Sequence, residues 1–328
     1  MQNTNTPPRD IYNPKDGYTL GLLGVVTPVM AYVVIGILMV FVAMGAGEGF
    51  EQLFDSPAFL YISQIIMEGA FVVVLLTYNK VRRVSYVSAS LMKTKPKYLN
   101  WAVAIIIGVA LSIFFSPLIG LWERLLGWMG VYLPSINLPL ATPVDLILAI
   151  VILGIIPAFC EEVLFRGGVL NGLRSKGVWF AVLYSSMCFA LMHTNLQQLP
   201  YTFLLGLVVG WVVYYTRSIW LGVLIHALNN ITVLAVTYFV GQESATSPLT
   251  TADIVYTILM TLVGVALVVL TMWFVRRYNK TNELSTPMKA VPKDDEQKPK
   301  KDSFVVIVNV CIIIVGIVFT ALRALNKW

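Results

Sequence analysis

Charge is scarce in this chain. Asp, Glu, Lys and Arg make up 12% of its 328 residues, against 58% hydrophobic. A soluble domain usually carries about 25% charged residues, and so few would leave a globule poorly solvated, which excludes a water-soluble fold. Histidine is limited to two residues, and the three cysteines, Cys160, Cys188 and Cys311, each lie in an apolar stretch, so no disulfide framework is implied. There is no GxGxxG loop, no P-loop lysine and no obvious internal repeat, which removes the usual signatures of nucleotide-binding and solenoid proteins. A cleavable leader is not expected either. Residues 1–19 are polar, with Pro7, Pro8 and Pro14, and the first apolar run, Leu20 to Met44, is too long for a leader core.

What is present is a series of long apolar runs, reflected in a mean hydropathy of +0.78. Several reach the roughly 20 residues that cross a bilayer core of about 30 Å. Nine spans are predicted, at about 20–44, 58–78, 100–120, 145–172, 178–194, 199–216, 219–240, 252–275 and 304–323. The fold class is therefore all-α, a polytopic transmembrane helix bundle of eight core spans plus an extra C-terminal span. The formal charge of +6 reads as orientation rather than nucleic-acid binding, because the cations are sorted along the chain. Lys80, Arg82, Arg83, Lys93, Lys95 and Lys97 fill the second connection, Arg174 and Lys176 the fourth, Arg217 the sixth, and Arg276-Arg277 open the segment after span 8. The alternate connections hold Glu48, Glu51 and Asp55, then Glu123 with Arg124, then Glu243. Lys and Arg favour the cytoplasmic side, so the N-terminus is expected inside and, with nine spans, the C-terminus outside, although Arg323 and Lys327 at that end count against the ninth. The expected organisation is a cytosolic tail (1–19), N-terminal transmembrane helices (20–144), a polar core region (145–240), an eighth span (241–275), a charged disordered linker (276–302) and a C-terminal helix (303–328). The basic 79–99 loop reads first as a topology determinant and second as a contact for anionic lipid.

Ionisable groups inside a span are costly and mark function by default. Span 4 carries Cys160-Glu161-Glu162-Val163-Leu164-Phe165-Arg166, span 5 ends Phe189-Ala190-Leu191-Met192-His193, and span 7 contains His226-Ala227-Leu228-Asn229-Asn230. Counting from the turn near Ser175-Lys176, Glu161 and His193 differ in height by only about 5 Å, and His226 and Asn230 sit roughly 12–18 Å deep. All four are expected to line one cavity below the cytoplasmic face. Glu162 and Arg166, at i,i+4 with the acid first, suit an intrahelical ion pair. Neighbouring residues point about 100° apart, so Glu161 and Glu162 are not expected to face the same partner. A carboxylate beside a neutral imidazole can activate water, and His226 with Asn230, also i,i+4, can donate to an oxyanion. Alternatively, Glu161, His193 and His226 offer three ligands for one divalent metal such as Zn. Cys160 reads as a small packing residue and Asn229 as interhelical glue. Gln64 and Glu68, i,i+4 on span 2, are left open between partnering Arg166, lining the cavity and joining helices.

Glu161-Glu162-x-x-x-Arg166, Phe189-x-x-x-His193 and His226-x-x-x-Asn230 together resemble the motifs of the CAAX-processing and bacteriocin-processing (CPBP, or Abi) intramembrane proteases, relatives of the Ras-converting CAAX endopeptidase. The resemblance covers about 145–240. It implies an eight-helix bundle around a cavity open to the cytosol, with Glu161 and His193 activating water, His226 and Asn230 holding the oxyanion, and Glu162 and Arg166 in support. Both a metal-dependent and a metal-free glutamate mechanism are compatible with it, so the cofactor stays open. The implied substrate is a membrane-associated peptide or lipidated protein, and the implied partners are membrane lipids and that substrate, with no nucleic acid. The alternative is a non-catalytic membrane scaffold or bacteriocin-immunity protein regulating another membrane enzyme; a proton-coupled transporter ranks last, since repeat symmetry is not seen.

Overall fold

In the computed structural model of the chain, residues 9–46, 56–85, 87, 90–131, 138–241 and 249–280 are described. Helices dominate, as apolar runs in lipid require, because a backbone without water must satisfy its own N–H and C=O groups. In chain order they are α1 (Pro14–Ala46), α2 (Pro57–Arg82), α3 (Tyr98–Trp128), α4 (Pro143–Lys176), α5 (Val178–Met192), α6 (Leu199–Thr216), α7 (Ile219–Val240) and α8 (Thr251–Tyr278). All but α5 are long and apolar enough to cross a membrane, and α5 is a shorter apolar helix. The chain is thus a polytopic all-α membrane protein. The ninth span and all of the 276–302 linker beyond Lys280 lie outside the described residues.

Two boundaries differ from expectation for identifiable reasons. α1 begins at Pro14, inside the expected tail, because Asn13 and Asp16 cap it reciprocally: Asp16 N–H donates to Asn13 Oδ1 (3.0 Å) and Asn13 N–H to Asp16 Oδ2 (2.9 Å). α8 runs on to Tyr278, with Arg276 and Arg277 in its last turn, where cations complement the exposed carbonyl end of the helix dipole.

Alternation of the helices gathers their ends into two faces. At one, Asp16 is fully buried between Arg9 (3.0 Å) and Arg82 (3.5 Å) and accepts from the Tyr78 hydroxyl (2.7 Å). Tyr12 donates to Asn79 (2.7 Å), Arg174 to the Tyr12 carbonyl (3.1 Å), and Lys97 to the Tyr278 carbonyl (2.8 Å). This is the face of the basic connections. The opposite face holds Glu123, bonded by Gln197, with Asp145 and Asp253 in the capping boxes that start α4 and α8.

Between the faces the core is tightest where α1 meets α4. Gly17 and Gly172 let the two backbones touch: a Cβ on Gly172 would come within 2.7 Å of the Gly17 backbone, and one on Gly17 within 2.8 Å of Leu173 Cγ. α4 itself is uneven. π-helical stretches at Ile150–Ile155 and Val163–Leu170 flank the regular turns of Ile156–Glu162. Pro157, which has no N–H to offer the preceding turn, sits just after the first of them, and such wide turns recur at functional sites.

Gly172→Leu should disrupt the α1–α4 contact at a cost of about 1–3 kcal/mol or more, lowering the thermal midpoint of the detergent-solubilised protein. Gly69→Ala, where a Cβ meets nothing within 4 Å, should leave that midpoint unchanged or raise it slightly, since alanine is the better helix former.

Candidate active site

α4, α5, α6 and α7 converge on one buried polar cluster. At its base the Arg166 guanidinium donates from Nη1 to Glu162 Oε1 at 2.7 Å, with both side chains fully excluded from solvent. Its Nη2 donates to the Gly206 carbonyl of α6 (3.1 Å), and its plane lies 4.4 Å from the centroid of the Phe189 ring of α5, a cation–π contact that counts for more in a desolvated place. The expected i,i+4 pair is therefore present.

His226 corrects the expectation that the adjacent glutamates have separate neighbours. Its Nδ1 stands 3.2 Å from Glu162 Oε1 and its Nε2 3.8 Å from Glu161 Oε2. The two carboxylates do leave the helix about 100° apart, but the imidazole occupies the wedge between them and presents one nitrogen to each. Because a carboxylate only accepts, Nδ1 carries the proton toward Glu162. Room for this comes from Gly222, one turn before His226: a Cβ there would meet Glu162 Oε2 at 3.0 Å and Val213 Cγ2 at 2.9 Å. The sequence spacing Gly222-x-x-x-His226 carries that signal, although nothing in it names the glutamate.

His193 follows the last residue of α5, and its Nδ1 donates to the Phe189 carbonyl (2.8 Å). A carbonyl partner fixes the tautomer, leaving Nε2 with a free lone pair when the ring is neutral. The Phe189 ring stands edge-on to both imidazoles, 5.1 Å from His193 and 5.4 Å from His226, so the two histidines flank one aromatic spacer. Immediately beyond, Thr194 takes a left-handed backbone (φ 48°), uncommon for a residue with a Cβ; it breaks α5 and leaves His193 half-buried at the helix end.

Asn230 accepts from Asn229 Nδ2 (3.3 Å), and Asn229 in turn accepts from the Tyr201 hydroxyl of α6. Asn229 is thus interhelical glue, and it also braces Asn230. Tyr201 escapes sequence reading because a tyrosine near a span end looks like an interfacial anchor. Glu68 of α2, left open from sequence, accepts from Gln64 (2.8 Å) and faces the Glu161 carboxyl rather than Arg166. Among the described residues, Glu161 Oε2 and Glu68 Oε2 are buried without a hydrogen-bond partner. Cys160 is half-buried beside them and Cys188 is buried in the core, both as free thiols, while Cys311 lies outside the described residues.

The three-ligand metal centre fits this geometry poorly. Among the described residues no group of three His, Cys, Asp or Glu side chains is arranged to hold a metal ion.

Residues 143–232 match the family model described as Type II CAAX prenyl endopeptidase Rce1-like. The match covers 90 of the 328 residues, just over a quarter of the chain. That segment runs from the first residue of α4 to the middle of α7 and contains Glu161, Glu162, Arg166, His193, His226 and Asn230. The Rce1-like assignment supports a CAAX-type intramembrane protease in general terms. No curated protein and no solved structure matches the chain.

Arg166→Met should strand Glu162 in the core and cost about 3–5 kcal/mol, whereas replacing both partners with neutral groups of similar volume should recover much of that. A thermal-unfolding cycle over Arg166→Met, Glu162→Gln and the double variant measures the coupling. Additivity would show that the pair contributes nothing as a unit.

Proposed function

We propose that this protein is an intramembrane endopeptidase that hydrolyses a peptide bond in a membrane-associated protein or peptide, with Glu161 as general base. The observation that carries the reading is the Glu161 Oε2 atom, buried without a partner and facing His226 Nε2 across 3.8 Å within the Rce1-like segment. A desolvated acceptor of this kind is suited to taking a proton from water.

In the reaction, Glu161 removes a proton from the attacking water, and the bare Nε2 of His193 helps to orient that water. The water oxygen adds to the scissile carbonyl and gives a tetrahedral oxyanion. His226, anchored through Nδ1–H to Glu162, turns Nε2 toward the cavity and with a proton there donates to the oxyanion; the Asn230 amide is the second donor. Glu161 then passes its proton to the amide nitrogen as the C–N bond breaks, releasing a carboxylic acid and an amine, between which the remaining water proton is shared as a carboxylate and an ammonium in water. Glu162 and Arg166 act through His226 by fixing its ring. None of these steps requires a metal, and CAAX-type or lipidated termini are the substrate class that the family assignment favours.

Glu161→Gln and His193→Ala should each abolish cleavage of a membrane-delivered reporter peptide while expression, insertion and the thermal midpoint persist. Asn230→Ala should lower kcat by about 10²–10³-fold, the scale for loss of one oxyanion donor. Wild-type turnover by both Glu161→Gln and His193→Ala would leave the protein as a membrane scaffold.

A further inference from the structure

We infer that Glu68 of α2 is a positioning residue of the site: it shares a single proton with Glu161 and uses it to donate a hydrogen bond that holds the general base in place. The shared proton follows from geometry and charge alone, whereas the role of Glu161 as base is that of the proteolytic reading.

One row of side chains runs across α2, α4 and α7. Gln64 donates to Glu68 Oε1 (2.8 Å), and the Glu68 and Glu161 carboxyls meet within hydrogen-bonding reach. Glu161 Oε2 faces His226 Nε2 at 3.8 Å. His226 Nδ1 and Arg166 Nη1 both reach Glu162 Oε1, at 3.2 and 2.7 Å. Every close contact in the row pairs a donor with an acceptor except the one between the Glu68 and Glu161 carboxyls. An ionised carboxylate only accepts, so two of them in contact leave acceptors facing each other, and Glu68 Oε2 and Glu161 Oε2 are both buried without a partner. One proton turns that contact into a donor and an acceptor. Because Glu68 Oε1 already accepts from Gln64, the oxygen left to carry the proton is Oε2, from which it can donate to Glu161.

Charge requires the same proton. Glu68 lies mid-span in the 26 residues of α2 and is 2% exposed, with Glu161 at 5%. α2 packs chiefly on α1 and α4. On α1 the charged groups are Lys15 and Asp16 of its first turn, and Asp16 is bonded to Tyr78 and Arg82 near the end of α2. On α4 they are Asp145 in the first turn, Glu161, Glu162 and Arg166, then Arg174 and Lys176 at the last turn, with the Cys160 thiol beside the pair. Arg166 is matched to Glu162. Among the described residues, two ionised carboxylates at positions 68 and 161 would then face His226 alone. Even with both of its nitrogens protonated, that ring would leave one negative charge uncompensated. A buried group in that position takes up a proton instead, and two carboxyls in one site resolve their repulsion by sharing one.

The Glu68 proton is not consumed in the reaction. It supplies the donor that a carboxylate in an apolar interior needs, and it fixes the direction in which Glu161 faces the water. Glu161 still takes the water proton and passes it to the amide nitrogen. Gln64 acts one step further back, by fixing which oxygen of Glu68 carries the proton.

Two measurements on the full-length protein in detergent or lipid test this. Infrared difference spectra at neutral pH, wild type minus Glu68→Gln, should show a protonated-carboxyl C=O band that is lost in the variant and moves to lower frequency in D2O. Loss of carboxylate bands in its place overturns the inference, since Glu68 is then ionised, as a cation bound between the two carboxylates would make it. In cleavage of a membrane-delivered reporter peptide, Glu68→Leu should lower kcat about 10- to 100-fold, the scale for losing one hydrogen bond to a charged group, with KM little changed. Glu68→Gln, whose amide can donate from the same place, should recover most of that loss. Wild-type kcat in Glu68→Leu, or a Glu68→Gln enzyme as slow as Glu68→Leu, overturns the positioning role. If Glu68→Leu does not fold, the spectrum and kcat of Glu68→Gln decide alone. The infrared band needs no turnover, so it reports the shared proton even if the protein cleaves nothing, and wild-type turnover by Glu161→Gln removes the protease reading without touching that proton.

Discussion

A cation with no access to water lies at the centre of this bundle, and much of the surrounding structure exists to neutralise it. Arg166 could not be held there alone, since an isolated buried charge costs many kcal/mol in a low-dielectric interior. Its partners come from different parts of the chain: Glu162 from its own helix, the Gly206 carbonyl from α6 and the Phe189 ring from α5. Each of these contacts also fixes something else. Glu162 holds His226, and Phe189 spaces His226 from His193. The ion pair therefore does not need to touch substrate to determine where both imidazoles stand. It also explains why helices as hydrophobic as α5 and α6 take one definite rotation, because apolar packing in lipid is otherwise weakly directional.

The parts of the fold that depend on composition were legible. Apolar runs of bilayer length separated by short polar turns leave helices as the solution in lipid, and the eight described helices fall where those runs do. Local i,i+4 chemistry was legible as well, as with Glu162 and Arg166. Helix starts held by side-chain caps were harder: Asn13 and Asp16 look like ordinary tail residues until their reciprocal bonds are seen. What a single sequence could not supply was rotation and tilt. The rule that adjacent residues diverge by 100° is correct for the backbone, yet it did not anticipate a flat two-nitrogen ring from another helix filling the wedge. The same limit hid the pairing of Tyr201 with Asn229, 28 residues apart, and the meeting of Glu68 with Glu161 across two helices.

The halves of the bundle are built on different principles. Toward the basic face, backbones approach until only glycine fits, as at Gly17 and Gly172, and Asp16 meets Arg9, Arg82 and Tyr78. At its far end α5 stops early, the backbone at Thr194 departs from its preferred region, and Glu161, Glu162 and Glu68 of the site each keep a carboxylate oxygen without a partner. Unsatisfied buried acceptors and an uncommon backbone conformation are tolerated only where the surroundings over-determine them, and here the packed half supplies that constraint.

This division bears on how a protease could work within a membrane. Hydrolysis needs water at a site surrounded by lipid, but stray water would weaken the electrostatics that hold an oxyanion. A buried ion pair beneath half-buried polar groups meets both demands. Glu162, Arg166 and the anchored nitrogen of His226 are buried, where hydrogen bonds between charged groups are strongest, while His193 and Asn230 are half-buried. The two histidines differ in what holds them. Both rings have Nδ1 committed, one to a backbone carbonyl and one to a carboxylate. One imidazole is thereby held by the charged core of the bundle and the other by the end of its own helix.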